Sequence, residues 1–139
     1  MTKIDGVRFY NDTAATMPES AIAAINSFMT PINLICGGSS KKLDLTKLGR
    51  KIARAKYIKK VFLLKGAATE ALEKIIKEEG GEERIVGVYE DLETAVNDVK
   101  TQAEEKEIVL LSPGCASFGM FKNEFDRGDK FKKIVEGLK

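Results

Sequence analysis

The chain has 139 residues, 43% hydrophobic and 32% charged with three prolines, which suits one globular domain and excludes a disordered or collagen-like chain. Lys and Arg total 23 against 21 Asp and Glu, and a net charge of +2 argues against a nucleic-acid binder. Histidine is absent, so no histidine triad, imidazole base or histidine-ligated metal exists in it.

The chain opens on a hairpin signal. Asp5-Gly6 predicts a tight turn joining an edge stub, Thr2–Ile4, to an antiparallel strand, Val7–Tyr10. Pro18 predicts a helix start, with Ile22, Ile25 and Met29 on one face and Thr16 within capping reach. Ile32–Cys36 reads as a strand ending in Gly37-Gly38, and Leu45, Leu48 and Ile52 mark the next helix. Val61–Leu64 is a strand ending at Lys65-Gly66. Ala68, Ala71, Leu72, Ile75 and Ile76 follow at helical spacing, and Gly80-Gly81 stops that helix. Strand Ile85–Tyr89 precedes a helix lined by Leu92, Ala95, Val96 and Val99. Strand Ile108–Leu111 ends at Ser112-Pro113-Gly114, and Phe131, Ile134, Val135 and Leu138 line a last helix.

Strands alternating with helices predict an α/β fold. It is a Rossmann-like doubly wound sheet of about five parallel strands, an antiparallel N-terminal edge stub and helices on both faces. No apolar run approaches the ~18 residues of a membrane span, and no apolar leader opens the chain. Cys36 and Cys115 form no CxxC pair, so the expectation is a cytoplasmic protein with reduced thiols. Cys36 reads as a core residue. Cys115 reads as an inert thiol in a turn before a helix, where helix amides would lower its pKa but no base accompanies it.

Ligands of open α/β sheets bind where the strands end. Three segments there carry chemistry: Asn11-Asp12-Thr13-Ala14-Ala15-Thr16, Gly37-Gly38-Ser39-Ser40-Lys41-Lys42 and Ser112-Pro113-Gly114-Cys115-Ala116-Ser117. Hydroxyls, glycine-turn amides and a lysine suit an anionic ligand. Asp12 suits a hydroxyl donor such as a ribose. Taken singly, these residues also fit turn chemistry, helix caps and solvated surface. The GxxxxGK[ST] and GxGxxG phosphate loops are absent. Lys65 stands where a receiver domain would carry its phospho-acceptor aspartate after the third strand.

Phe9-Tyr10-Asn11-Asp12-Thr13-Ala14-Ala15-Thr16 resembles the F-x-N-D-S/T-x-A-T stretch of the D-glutamate-adding (MurD) branch of the Mur ligase family. Gly37-Gly38-Ser39-Ser40-Lys41 is similar to its GGxxK loop. Leu110–Gly128, LLSPGCASFGMFKNEFDRG, is similar to LLSPACASFDxFxxFxxRG. The resemblance implies that residues 1–139 are the C-terminal domain of a three-domain enzyme, inactive when isolated. That enzyme forms an amide through an acyl phosphate, adding D-glutamate to UDP-N-acetylmuramoyl-L-alanine in the cytoplasm as a monomer. ATP and Mg2+ are implied as cofactors bound mainly by the other domains, which also take the UDP substrate. Neither nucleic acid nor membrane is implied as a partner.

Residue by residue, the resemblance implies that Asp12 contacts the ATP ribose. Thr16, Lys41 and Ser117 would bind the D-glutamate carboxylates, with Phe118 lining the site. Ala14 stands where many members carry a lysine, so that cation is either lost or supplied elsewhere, with Lys42 as a candidate, and Gly114 replaces the alanine of SPAC. The segment Asn123-Glu124-Phe125 aligns loosely. A free-standing module that binds a small anion is the alternative reading. Sub-millimolar binding of D-glutamate or ADP by this chain alone would favour it.

Overall fold

β1 (Thr2–Ile4) pairs antiparallel with β2 (Val7–Asn11) in the register Thr2↔Phe9, Lys3↔Arg8, Ile4↔Val7. Asp5 and Gly6 take φ of 50° and 80°, the left-handed pair that a two-residue hairpin needs. The computed structural model describes residues 1–40, 42–117 and 119–139. After the hairpin come α1 (Pro18–Asn26), β3 (Ile32–Cys36), α2 (Thr46–Arg54), β4 (Ile58–Leu64) and α3 (Ala67–Glu78). A 3-10 turn at Glu82–Arg84 leads into β5 (Ile85–Tyr89), α4 (Leu92–Gln102), β6 (Ile108–Leu111) and α5 (Glu124–Gly137).

The six strands lie in the order β1-β2-β6-β3-β4-β5. Every pairing after the hairpin is parallel. This is the doubly wound α/β sheet expected, with five parallel strands and the antiparallel stub at its edge. β6, the last strand in the chain, lies between β2 and β3, pairing Phe9↔Val109 on one side and Leu34↔Leu110 on the other.

Alternation along the buried strands divides the core in two. Leu34, Cys36, Val61, Leu63, Ile108 and Leu110 pack under α1, α2 and α3. Ile35, Phe62, Leu64, Val109 and Leu111 pack under α4 and α5. The central strands read as continuous apolar runs because helices cover both faces. Asn33, fully buried in β3, breaks that run. Its amide nitrogen donates to Glu107 Oε1 at 3.1 Å and to the Ile108 carbonyl at 3.2 Å, at the edge where the strands begin. Glu107 also accepts from Lys59 Nζ at 2.5 Å and from the Glu104 N–H at 3.0 Å.

Three local expectations are corrected. α1 ends at Asn26, so Met29 lies beyond it and is 81% exposed. Ser27 donates its hydroxyl back to the Ala23 carbonyl, and Phe28 packs on Tyr10 with ring centroids 4.8 Å apart. Thr16 does not cap α1; the N-cap position is Met17, with no side-chain capping bond, so the helix start rests on Pro18. β4 begins three residues before Val61, at Ile58, because its backbone already pairs with β3 there, Ile58 opposite Ile32, while Lys59 and Lys60 find side-chain partners in Glu107 and Gln102.

Candidate functional site

The strand register brings the expected loops to one edge. Asn11 lies opposite Leu111, and Leu111 opposite Ile35, so β2, β6 and β3 end in one row. Their following loops are therefore neighbours. The Asp12 N–H donates to the Leu111 carbonyl at 2.8 Å, the Ser112 N–H to Ile35 at 3.1 Å and the Gly37 N–H to Pro113 at 3.0 Å.

Asp12 is half-buried beside β6, and Ser112 Oγ donates to its Oδ2 at 2.8 Å. A hollow of about 500 Å3 opens beside it, lined by Tyr10, Asn11, Ser20, Phe28 and Leu110. Thr16 is half-buried two residues before α1, and its N–H donates to the Ala14 carbonyl at 2.8 Å. Ala14 and Lys42 are exposed, and Lys42 takes φ of 58°. Lys41 and Phe118, both expected at the site, lie outside the described residues. Ser117 is 5% exposed and sits against the Gly37-Gly38 turn in a narrow crevice also lined by Lys65, Phe121 and Arg127. Ser117 does not cap a helix, because α5 begins at Glu124 with Asn123 as its cap, the Asn123 side chain accepting from the Asp126 N–H at 2.8 Å.

The glycine pair is required by close approach. Gly37 takes φ of 100°, a conformation that favours glycine. A Cβ on Gly38 would lie 2.3 Å from the Ala116 carbonyl oxygen. The β3 and β6 loops are further stitched by Ser39 N–H to Ala116 O at 3.1 Å and Ala116 N–H to Ser40 Oγ at 2.5 Å. Thr69 of α3 serves the same turn. Its Oγ1 accepts from the Gly38 N–H at 3.2 Å and donates to the Leu64 carbonyl.

Cys36 and Cys115 are free and buried, Cys115 just before Ala116. Burial pushes both thiols up, with Cys115 reaching about 11 despite the nearby Arg127. Neither forms a thiolate near neutral pH, as the inert reading expects. Helix amides do not lower Cys115, since among the described residues the next helix starts only at Glu124.

Sequence reasoning assigned no role to Arg127. Its side chain is fully buried, and its donors go to the Thr13 carbonyl at 2.7 Å, Thr13 Oγ1 at 3.0 Å and the Cys115 carbonyl at 3.1 Å. Burial lowers its pKa to about 10, where it remains charged at neutral pH. The signal was present in the sequence. Arg127 lies four residues before Phe131 and eight before Val135, on the apolar face of α5. An arginine on a buried face needs acceptors, and two loop carbonyls supply them.

A second hollow, about 620 Å3, lies between α3 and the edge strand β5. Glu70, Glu73 and Glu90 line it, and its one lysine, Lys65, pairs with Glu90 at 3.3 Å. It suits an anion less well than the three-loop edge. No helix among the described residues is long and apolar enough to cross a membrane.

Comparisons with known proteins place the chain in a family. A sequence model described as "Mur ligase, glutamate ligase domain" matches residues 1–115, stopping just before Ser117. A UDP-N-acetylmuramoylalanine--D-glutamate ligase of Roseiflexus sp. is 48% identical over 136 residues, 98% of this chain and 29% of that protein. The ligase of the same name from Clostridium tetani is 37% identical over 139 residues, 98% of this chain and 30% of that protein. The chain thus spans under a third of the length of these relatives. A solved domain from a Haemophilus ducreyi protein, named for a UDP-N-acetylmuramate:L-alanyl-gamma-D-glutamyl-medo-diaminopimelate ligase, shares the fold. It gives a TM-score of 0.62 at 13% identity over 99% of this chain and 92% of its own. With the model matching most of its length, the chain belongs to the Mur ligase family, in the glutamate ligase domain.

Proposed function

We propose that residues 1–139 form one domain, the C-terminal domain of a three-domain cytoplasmic ligase. That ligase uses ATP to join D-glutamate to UDP-N-acetylmuramoyl-L-alanine in peptidoglycan synthesis. The names of the relatives support this reading. The observation that carries it is the meeting of the loops after β2, β3 and β6 in one row, with hydroxyls, amides and Asp12 at the same edge.

In this reading the domain holds and delivers the amine nucleophile. Lys41 supplies a charge for one carboxylate of D-glutamate, while the Thr16 and Ser117 hydroxyls direct its approach and Phe118 lines the pocket. A dicarboxylate needs such donors at both ends. Asp12 suits the ATP ribose. Ser112 occupies its Oδ2, leaving Oδ1 to accept from a ribose hydroxyl at the mouth of the adjoining hollow. Phosphoryl transfer to the UDP-sugar carboxylate belongs to residues outside this chain, as does magnesium. The amine then attacks the acyl phosphate carbonyl, forming the C–N bond as phosphate leaves. Holding the amine in line is worth more than any single contact, since positioning turns a bimolecular step into an effectively unimolecular one.

The test uses the intact ligase carrying this chain. Lys41→Ala removes a charge-assisted bond worth about 1.5–3 kcal/mol, so the KM for D-glutamate should rise about 10- to 100-fold. Ser117→Ala should raise it by a smaller factor. Wild-type KM and kcat in both variants would overturn the assignment.

A further inference from the structure

We infer that Arg127 is a positioning residue that sets the distance between the two halves of the D-glutamate site. The inference rests on the reading of this edge given above. One half is the β2 loop, Asp12 to Thr16. The other is the β6 loop, Ser112 to Ser117. Few direct bonds join them beyond the strand ends: the Gly114 N–H donates to the Ala15 carbonyl at 2.7 Å, and Ser112 Oγ to Asp12. Arg127 supplies the remainder from α5. Its Nη2 and Nε hold Thr13 by carbonyl and hydroxyl, while Nη1 holds the carbonyl of Cys115, two residues before Ser117.

The rest of the first turns of α5 serve the same clamp. Thr13 Oγ1, which accepts from Arg127, donates to the Glu124 carbonyl at 2.7 Å. Asn11 Nδ2 donates to the Gly128 carbonyl at 3.1 Å, and a Cβ on Gly128 would meet Thr13 Cγ2 at 2.5 Å. The Arg-Gly pair thus seats α5 on the β2 loop while the guanidinium reaches across to the β6 loop. A planar fork with donors on two sides does this; a lysine ammonium is a single point and does not. Among the described residues Arg127 forms no ion pair, so its charge is spent on loop carbonyls.

Asp12 is held independently, by the Leu111 carbonyl and by Ser112. The clamp therefore governs the amino acid more than the nucleotide. In the intact ligase, Arg127→Lys should raise the KM for D-glutamate at least tenfold while the KM for ATP changes less than threefold. A purely structural role would lower melting temperature and active fraction without that split. Hydrogen exchange in the same protein gives a readout that needs no turnover. Peptides covering residues 13–16 and 112–117 should lose protection at least tenfold, while β4 keeps its own. Should Arg127→Lys not fold, Thr13→Val removes the hydroxyl between Arg127 and Glu124 and should raise the D-glutamate KM at least threefold. A folded Arg127→Lys or Thr13→Val protein with unchanged D-glutamate KM and unchanged protection overturns the inference. An active wild-type enzyme that ignores D-glutamate instead overturns the reading of the site; the exchange result then still decides whether Arg127 clamps the loops.

Discussion

Replacing Gly38 by alanine sets a methyl group where the β3 and β6 loops touch. The new Cβ would lie 2.3 Å from the Ala116 carbonyl oxygen and 3.0 Å from Cys115 Cβ. Carbon and carbonyl oxygen pack at about 3.3 Å or more, so roughly 1 Å must come from backbone movement. Neither side has freedom to yield. Ala116 O already accepts from the Ser39 N–H at 3.1 Å and from Ser39 Oγ at 3.3 Å. Gly38 O accepts from the Ala68 N–H at 3.0 Å, and Gly66 presses on it so closely that a Cβ there would stand at 2.1 Å. Overpacking of this kind costs about 1–3 kcal/mol, and the strained loop bonds place Gly38→Ala in the upper half of that range. At about 3–6 °C per kcal/mol for a chain of this length, the melting temperature should fall by about 6–18 °C. Thermal unfolding followed by circular dichroism near neutral pH measures it. A Gly38→Ala protein melting within about 2 °C of the wild type would show that this turn has slack, and the argument from close approach would be wrong.

Gly137, the last residue of α5, has nothing within 4 Å of a Cβ built on it. Gly137→Ala should therefore stabilise the chain by up to about 0.5 kcal/mol, read from urea unfolding, and a loss of stability would contradict it. Burial pushes the Glu107 carboxyl up, but bonds from the Glu104 N–H, Lys59 and Asn33 outweigh it and hold the group below the usual carboxylate range. Its stabilisation is thus complete above about pH 5 and is lost as pH falls through the folded-state value. Glu107→Gln should destabilise by about 1–3 kcal/mol at pH 7 and by less near pH 3; equal losses at both would refute the role of the charge.

Much of this architecture was legible because its signals are local. Asp5-Gly6 named the hairpin, and the apolar runs at Ile32, Ile85 and Ile108 named strands whose bounds hold. The gathering of the loops after β2, β3 and β6 at one edge was also legible, since parallel strands send their following loops to one side. What stayed hidden depends on contacts distant in sequence. β4 starts at Ile58 because that residue pairs with Ile32 of β3, which no window around residue 58 reveals. Met29 continued a helical period, yet Ser27 had already turned the chain. Arg127 shares the apolar face of α5 with Phe131 and Val135, but the acceptors that permit its burial, on Thr13 and Cys115, come from segments no local pattern ties to it.

The place of β6 in the sheet carries a consequence for how the molecule is made. Arg8 pairs with Ile108 and Ile32 pairs with Ile108, so the middle of the sheet waits for a segment synthesised about a hundred residues after the first strand. Until then β2 and β3 each present an open inner edge, separated by the width of one missing strand, about 4.8 Å to either side. Such pairings form slowly, because a long loop must close before any contact rewards it. A growing chain holding only β1 to β5 carries the β2 loop without the β6 loop it meets, and its two unpaired inner edges are open to strands from other chains. The strand that joins β2 to β3 and brings their loops together thus also seals the sheet against aggregation during synthesis.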